Sequence, residues 1–401
     1  MTDTETMFDP ATYREVRKPL LEARTLPSWC YTSDAFYKRE VERVFLKTWS
    51  FAGRADEIPT AGDFLTVDMP GGSVVLIRGR DGEIRAFANT CRHRGVQLLS
   101  EEKGNCRAIT CPYHSWVYGL DGRLVGAPNM EKTKFDKDAF GLMPLRLDSW
   151  AGFLFVNFSD SGPALLEQLG DLPEQLGPYN HGDMVCVKKV DYHVACNWKF
   201  LLENALEAYH TGTVHRTTLG DQQGVDVETK GDWEAIFLPG DESVSVLPGE
   251  KAPLPRIKGI HGRPAEGTYF TCVYPSTQFA CATDSMWWLR IYPKGPHQTH
   301  INFGFCFPKE SAALPDFWEK AKPYFKRWQL GLEEDNVISE AQHKGALSAK
   351  HRQGPFSYRE RAVHRIANWL LDHVLDAPAE AGRRAASRNR AVSISAQPRG
   401  D

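Results

Sequence analysis

NWKFLLENALEAYHTGTVH, residues 197–215, is the stretch around which the rest of the chain is organised. Its apolar residues recur at helical spacing among good helix formers, which predicts a helix from the start of the stretch to about His210. Residues three apart share a helix face, so Glu207 is expected to contact His210. His215 lies off that face. Gly212 is the predicted point at which the helix ends and the chain folds back.

The side chains of this stretch suit a metal ion. Two imidazoles and one carboxylate on one side of an ion are typical of non-haem ferrous iron that keeps positions open for dioxygen and substrate. His210 and His215 are therefore candidate iron ligands. A histidine at a helix end is more often a cap or a packed core residue, and E-x-x-H spacing alone is weak evidence. The iron hypothesis therefore depends on a second pattern upstream.

That second pattern is Cys91-Arg-His93, then seventeen residues, then Cys111-Pro-Tyr-His114. Two thiolates and two imidazoles are the ligands of a Rieske two-iron, two-sulfur cluster. Zinc is the competing interpretation, because mixed Cys/His sites commonly bind it. The order Cys, His, Cys, His, with the first pair one residue apart and both pairs between strand-like runs, favours the cluster.

With both patterns quoted, the chain resembles the oxygenase (alpha) component of the Rieske non-haem iron oxygenases. The resemblance covers residues from about 48 to about 345. It implies that the [2Fe–2S] cluster is held by four residues, Cys91, His93, Cys111 and His114. It also implies that His210 and His215 bind the mononuclear iron. Family members usually carry glycine after the second cluster histidine, where this chain has Ser115.

The resemblance places the third iron ligand, an aspartate, on a late helix. The matching stretch is GLEEDNVISEAQ, residues 331–342. Asp335 is preferred to Glu334, because neighbours on a helix point about 100° apart and only one can face the iron. Glu333 and Glu334 are then expected in solvent. Asn204, one turn before the metal residues, is expected to line the iron site, with a hydrogen bond inside the helix as the alternative.

Glu207 is expected to take part in catalysis as the link between the two metal centres. In the family, electrons cross between subunits of a ring, which implies a homotrimer here. The Glu207 carboxylate would accept hydrogen bonds from His114 of one chain and His210 of its neighbour. The plainer alternative is that Glu207 only orients His210.

An α+β fold with two domains is expected for 401 residues. Residues 1–45 are predicted to form an arm and a helix that pack on the catalytic domain. Residues 46–160 read as a small antiparallel β domain that presents the cluster loops. Residues 161–376 read as a catalytic domain of the helix-grip type, an antiparallel sheet packed against helices, with long loops over residues 216–267. Residues 377–401 are predicted to be a disordered tail.

Composition excludes several functional classes. The chain has 48 Lys and Arg against 51 Asp and Glu, which argues against a nucleic-acid partner held by bulk charge. Nine cysteines are too few for a disulfide scaffold. Neither a signal peptide nor a membrane span is visible, so a cytoplasmic location without membrane contact is expected.

The predicted function is that of a terminal oxygenase, which uses O2 and electrons relayed through the cluster to iron to hydroxylate a small organic substrate. A separate flavin or iron–sulfur reductase is required, because no dinucleotide fingerprint is present and NAD(P)H can act only indirectly. The reductase's identity and the presence of a beta subunit stay open.

Two substrate classes remain. Glutamate at 207 is similar to the carnitine and betaine monooxygenases, whereas ring-hydroxylating dioxygenases usually have aspartate there. A cationic head group could enter an aromatic cage drawn from the later strands, although aromatics on a sheet are more often core; the candidates are Phe270, Tyr274, Phe279, Trp287, Trp288, Phe303 and Phe305. An aromatic-ring dioxygenase acting on an aromatic acid is the alternative. A non-catalytic Rieske electron carrier is the alternative of another class.

Overall fold

The computed structural model describes residues 4–240 and 243–375. The predicted tail, 377–401, lies outside the described residues. The helices are α1 (Thr4–Phe8), α2 (Trp29–Thr32), α3 (Asp34–Glu40), α4 (Leu165–Leu169), α5 (Leu172–Leu176), α6 (Trp198–Ala205), α7 (Thr211–Val214), α8 (Lys309–Ala312), α9 (Phe317–Ala346) and α10 (Arg361–Val374). In the described part of the chain no helix has both the length and the apolar character needed to cross a membrane.

The first half of the chain forms two antiparallel sheets. One has seven strands in the order β1-β10-β9-β4-β3-β2-β5, and a smaller one has the order β6-β7-β8. Their strands are β1 (Ser50–Arg54), β2 (Asp63–Met69), β3 (Gly72–Arg78), β4 (Ile84–Ala88), β5 (Lys103–Asn105), β6 (Ile109–Thr110), β7 (Val117–Tyr118), β8 (Leu124–Gly126), β9 (Pro144–Trp150) and β10 (Phe153–Asn157).

The second half is built on a seven-stranded antiparallel sheet in the order β11-β17-β16-β15-β14-β13-β12. Its strands are β11 (Met184–Val194), β12 (Val225–Asp226), β13 (Trp233–Pro239), β14 (Gly267–Val273), β15 (Thr277–Cys281), β16 (Met286–Pro293) and β17 (Thr299–Pro308). The α+β expectation is confirmed. The stretch 216–267, however, was predicted to be loops alone. It contains β12 and β13, because the apolar run WEAIFL of β13 is buried inside the sheet.

Helix α9 packs on one face of this second sheet. Phe305 and Phe307 of β17 are two residues apart and so point to the same face. The Phe305 ring stacks on Trp328 of α9 at 5.5 Å, and the Phe307 ring meets Phe317 at 5.2 Å. On the opposite face Trp288 of β16 meets other partners, so each face of the sheet has its own core.

Trp288 also joins the second sheet to the first. Its ring meets the edge of Phe51 of β1 at 5.1 Å. The indole lies flat over Gly304 of the neighbouring strand, where a Cβ atom would fall 2.0 Å from Trp288 Cε2. Only glycine therefore fits at position 304, where the absence of a side chain leaves room for the indole that contacts Phe51.

The segment before the metal residues departs from the predicted helix. Helix α6 begins at Trp198, after the N-cap Asn197, whose side chain accepts a hydrogen bond from the Lys199 amide. The helix ends at Ala205 rather than near His210. The Glu207 carboxylate accepts the backbone amide of His210 at 3.0 Å and also that of Tyr209. Those amides are therefore unavailable to helical carbonyls, and the helix stops.

The predicted stop at Gly212 is also wrong. Gly212 lies inside the short helix α7, and His215 follows the last residue of that helix. The chain therefore bends before α7 instead of within it. The predicted consequence survives the correction, since Glu207 still contacts His210.

Candidate functional site

Three side chains converge between α6, α7 and α9. His210 precedes α7, His215 follows it, and Asp335 projects from α9. The potential ligand atoms of the three residues all lie within 4.8 Å of one another. Asp335 Oδ1 is 3.4 Å from His210 Nε2 and 3.1 Å from His215 Nε2. The structure thus brings together the three residues predicted to bind iron.

A carboxylate on the far side of each imidazole fixes which ring nitrogen faces the centre. Glu207 Oε1 is 2.6 Å from His210 Nδ1, and Glu334 Oε2 is 2.7 Å from His215 Nδ1. Each Nδ1 therefore carries a proton, and each Nε2 is the ring nitrogen that faces Asp335. Carboxylate–histidine pairs of this kind orient metal-bound imidazoles and raise their basicity.

The centre has the character of an ion-binding site. Asp335 Oδ1 is buried and has no hydrogen-bond partner, so its contacts with the two imidazoles lack hydrogen-bond alignment. Two nitrogen atoms and one oxygen atom that point at a shared space without bonding to one another fit a bound divalent cation. The residues present therefore fit a mononuclear iron.

The pKa shifts of Asp335 and His210 agree with this arrangement. Burial acts to raise the pKa of Asp335, but the neighbouring imidazoles of His210 and His215 outweigh burial, and the pKa is lowered. Burial likewise opposes the charged form of His210, but the Asp335 and Glu207 carboxylates raise its pKa to about 9.

Glu334 is the functional residue that the sequence analysis missed. It was expected in solvent, yet it holds His215 Nδ1 and also accepts a hydrogen bond from the Thr218 hydroxyl at 2.8 Å. Asp335 and Glu334 thus approach His215 from opposite sides of its ring, Asp335 at Nε2 and Glu334 at Nδ1. Glu333 is exposed, as expected, and meets the Tyr192 hydroxyl at 3.3 Å.

The cluster loops of the first half repeat one backbone pattern. The Cys91 amide donates to the Val96 carbonyl, and the Gly95 amide donates to the Cys91 carbonyl. Residues 111–116 make the same two bonds, from Cys111 to Trp116 and from residue 115 back to Cys111. Two matching turns therefore present one Cys and one His each.

The histidines of the two loops face each other. The ring centroids of His93 and His114 are 4.6 Å apart, at an interplanar angle of 70°. Both Nδ1 atoms are buried and lack a hydrogen-bond partner. Trp116 stacks on His93 at 5.0 Å. Two orphaned imidazole nitrogens at one tip fit the histidine-bound iron of a Rieske cluster.

The thiol side of the same tip favours thiolates. Burial opposes ionisation of Cys91, but the Tyr118 hydroxyl at 3.3 Å and the backbone amides of His93 and Arg94 outweigh it, and the pKa of Cys91 is lowered. Thiolates are the form that binds iron. Cys111 is buried beside it.

The iron-site residues line a cavity whose empty volume is about 740 Å³. Asn204 lines it, as expected, together with Glu207. Of the seven aromatic residues considered for a cage, three line the cavity: Phe270, Trp287 and Phe303. The other four belong to the packed cores. Strand alternation separates Trp287 from Trp288, which are neighbours that point to opposite faces. Phe305 shares the face of Phe303 but is stacked on Trp328 of α9.

Family models match both halves of the chain. Residues 48–145 match the Rieske [2Fe-2S] domain, and residues 182–376 match the catalytic domain of the ring hydroxylating alpha subunit. The chain belongs to the Rieske non-haem iron oxygenases. As an oxygenase component of this family it is an enzyme, an oxidoreductase, whose cofactors are a Rieske [2Fe–2S] cluster and a mononuclear iron. The family depends on a separate reductase for electrons and acts on small molecules with O2.

Named relatives of this Rieske oxygenase include two enzymes of quaternary ammonium compounds. The glycine betaine monooxygenase oxygenase subunit of Chromohalobacter salexigens is 28% identical over 413 residues, which cover 93% of this chain and 92% of the relative. The carnitine monooxygenase oxygenase subunit of Escherichia coli (strain K12) is 40% identical over 198 residues, 48% of this chain and 53% of the relative.

Solved structures of Rieske oxygenases are similar to this chain. The quaternary ammonium Rieske monooxygenase CntA in complex with L-carnitine has a TM-score of 0.74 at 25% identity, covering 89% of this chain and 97% of that one. Naphthalene 1,2-dioxygenase has a TM-score of 0.75 at 20% identity, covering 90% and 94%. The second likeness concerns the fold alone.

Proposed function

We propose that this Rieske oxygenase is a monooxygenase that hydroxylates a carbon bonded to a quaternary nitrogen. The observation that carries the proposal is the aromatic wall of the iron-site cavity. The Trp287 ring lies 6.1 Å from Phe270 and 5.6 Å from Phe303, at interplanar angles of 65° and 89°. Each aromatic face attracts a desolvated cation by about 0.5–2 kcal/mol. The relatives named for glycine betaine and carnitine support this substrate class.

The reaction can be written with atoms and electrons in balance. One oxygen atom of O2 enters a C–H bond of an N-methyl group, and the other leaves as water, with two electrons from the reductase and two protons. The hydroxymethyl ammonium product then breaks its carbon–nitrogen bond. It releases formaldehyde and a proton and leaves a tertiary amine.

We assign the mononuclear iron to His210, His215 and Asp335, the set whose geometry fits an ion. When bound, the iron supplies oxygen activation and the cluster supplies electrons one at a time. Glu207 and Glu334 keep the two Nδ1 atoms protonated, so that both Nε2 atoms stay available. Asn204 lines the cavity beside Glu207 and is placed to orient the substrate or water there.

We assign the cluster to the four residues of the matching turns, Cys91, His93, Cys111 and His114. The thiolates hold one iron and the two Nδ1 atoms hold the other. The Tyr118 hydroxyl lowers the pKa of Cys91 and so favours its thiolate form. The stacked Trp116 ring screens one face of His93 from water.

We further propose that the chain forms a homotrimer in which Glu207 links the iron site of one chain to the cluster of the next. Glu207 already contacts His210, and it also borders a second recess of about 820 Å³. That recess leaves the carboxylate open to an approaching group. His114 of a neighbouring chain, with Tyr113 exposed beside it, is the group expected there.

A substrate panel tests the substrate class. Holoenzyme, a reductase and NADH are incubated with glycine betaine, carnitine, choline, benzoate and naphthalene, and formaldehyde or another aldehyde is scored against ring diols. Formaldehyde or aldehyde release that depends on a quaternary ammonium compound is expected. Diol formation from benzoate or naphthalene alone would overturn the proposal in favour of the ring-hydroxylating dioxygenase. The electron-carrier alternative is disfavoured, because such a carrier has no use for a second metal site.

A further inference from the structure

A buried cation lies in the wall of the iron-site cavity. Among the described residues that line this cavity, Arg327 is the one Arg or Lys. It is on α9, four residues before Gly331 and eight before Asp335, so the three lie along one helix face. Arg327 is only 5% exposed.

The guanidinium of Arg327 extends along the helix over Gly331. A Cβ atom at Gly331 would lie 3.2 Å from Arg327 Nη1. Arg327 Nε donates a hydrogen bond to the Val244 carbonyl at 2.8 Å, which fixes the position of the guanidinium group. Because residue 331 has no side chain, nothing on this turn of the helix separates Arg327 from Asp335.

Among the residues that the structure describes, Arg327 has no partner of opposite charge. Within residues 4–240 and 243–375, no carboxylate oxygen lies within 4.0 Å of its nitrogen atoms. Burial lowers the pKa of Arg327 to about 10, although the charges of Asp335 and Glu334 act against the shift, so it stays cationic at neutral pH. Both carboxylates have other neighbours. Asp335 Oδ1 faces His210 and His215, and Glu334 is hydrogen-bonded to His215 Nδ1.

An unpaired buried charge is costly, and a retained one calls for a ligand that neutralises it. We infer that Arg327 binds the carboxylate of the substrate and so selects zwitterionic betaines over simple quaternary ammonium cations. The inference rests on the proposed function, which supplies the ammonium end. The planar guanidinium fork of arginine matches a carboxylate with two parallel hydrogen bonds.

The charge of the site agrees with a zwitterion. Three carboxylates, those of Glu207, Glu334 and Asp335, and one guanidinium surround the centre, so their formal charge is −2. One ferrous ion offsets that charge. A betaine then adds no net charge, whereas a simple cation such as choline adds one that nothing balances.

The first test compares ligands on the wild-type holoenzyme. Glycine betaine and choline share a trimethylammonium head and differ in a carboxylate against a hydroxymethyl group. Calorimetric titration is expected to show glycine betaine binding at least tenfold more tightly than choline. Equal affinity for the two compounds would overturn the inference without any variant.

The second test removes the guanidinium. Arg327→Gln is expected to raise the Kd of glycine betaine at least tenfold and to change that of choline less than threefold. Arg327→Lys keeps the charge but loses the planar guanidinium. Its Kd for glycine betaine is expected to lie between those of the wild type and Arg327→Gln. Lys326→Gln is the matched control, because Lys326 is the adjacent residue and its side chain is exposed. Iron content and the visible spectrum of the cluster verify folding. Equal losses for both ligands would mean that Arg327 only supports the Val244 segment.

Failure of this inference and failure of the proposed function give different results. If the enzyme oxidises betaine and choline alike and Arg327→Gln changes neither KM, the function stands and the carboxylate anchor is wrong. If no quaternary ammonium compound is oxidised but benzoate binds in an Arg327-dependent manner, the anchor stands and the proposed function is wrong.

Discussion

At the residue scale, the chemistry of the iron site depends on which nitrogen of each imidazole is free. Glu207 comes from three residues before His210, whereas Glu334 comes from a helix 119 residues beyond His215. Each carboxylate accepts a hydrogen bond from the Nδ1 of its imidazole, although one is close to its histidine in the sequence and the other is far from it. The two pairs together determine the orientation of the ligand set.

Removal of the Glu334 carboxylate should weaken iron binding. In Glu334→Ala, His215 loses its Nδ1 partner, and loss of such a partner typically costs about 10- to 100-fold in metal affinity. Chelator competition on the holoenzyme measures this affinity, with the cluster spectrum as internal reference. Glu333→Ala, one residue away and exposed, should leave the affinity unchanged. An unchanged affinity in Glu334→Ala would contradict the assigned role.

Glycine in place of Ser115, the residue after the second cluster histidine, should stabilise the folded protein. Ser115 has φ +57° and Gly95, at the matching place in the other turn, has φ +73°. A side chain in this left-handed region costs about 1 kcal/mol. Ser115→Gly should therefore raise the free energy of unfolding by about that amount. Gly95→Ser should lower it similarly, since a Cβ there meets nothing within 4 Å and only the backbone conformation is penalised. Denaturation followed by cluster absorbance checks both signs.

Glu203 should make stability depend on pH. Burial raises its pKa to about 7, and the hydrogen bond from the Tyr31 hydroxyl at 2.8 Å only partly opposes this. The folded protein therefore favours the neutral acid. Its contribution is complete below the ordinary value of 4.5 and is lost as pH rises through about 7.

Glu203→Gln should remove that dependence. Relative to the wild type, the variant should gain up to about 3 kcal/mol between pH 4.5 and pH 8. Urea unfolding at several pH values measures the gain. Glu42→Gln, at an exposed position, serves as the control. A constant difference between wild type and Glu203→Gln across this range would show that Glu203 titrates normally.

At the element scale, α9 both supports the sheet and supplies the site. Trp328 packs on Phe305, while Arg327, Gly331 and Asp335 of the same helix line the cavity. Trp328 and Leu332 line it as well, so this helix carries five cavity residues, three of them at intervals of four, and can tolerate little change on that face. Glycine at the middle position keeps the cavity open.

Alanine at two glycines of α9 should have different effects. In Gly331→Ala the new methyl group would lie 3.2 Å from Arg327 Nη1 and 3.3 Å from Leu219 Cδ1, so the KM for substrate should rise several-fold. In Gly345→Ala the methyl group meets nothing, and the helix should gain about 0.5–1 kcal/mol with KM unchanged. Steady-state kinetics and thermal unfolding of both variants test the pair. Equal KM values would show that the cavity does not extend over Gly331.

At the scale of the whole molecule, the metal centres occupy opposite halves of the chain. The cluster tip belongs to the strands of the first half and the iron site to the helices over the second sheet. Electron transfer through a neighbouring subunit requires Glu207 to face that subunit. The recess beside Glu207 provides the space for such a contact.

Glu207→Gln tests the link between subunits. The amide keeps the size of the side chain but loses the charge that would bind two imidazoles. In a single turnover, electron transfer from reduced cluster to iron should slow by at least tenfold, while iron and sulfide contents stay near three and two per chain. Glu207→Asp keeps a carboxylate and should retain part of the rate. A normal rate in Glu207→Gln with intact iron would rule out the bridge and leave the orienting role.

Much of the protein could be predicted from local pattern. Local patterns predicted the α+β class, with a small antiparallel β domain first and an antiparallel sheet packed against helices after it. Strand β13 was missed because the Gly- and Pro-rich residues around it masked a short apolar run. The helix boundary at Ala205 was missed because it depends on a carboxylate that turns back onto its own backbone.

The sequence by itself determined which residues carry metal-binding atoms, because their spacing and type are properties of short segments. Only the tertiary structure decided how those atoms are used. It brought Glu334 to His215, turned Trp287 toward the cavity and Trp288 away, and left Arg327 buried with no carboxylate of the described residues paired to it. The reason is physical. Ring orientation, burial and charge compensation depend on groups that are far apart in the chain and meet only when the helices pack on the sheet.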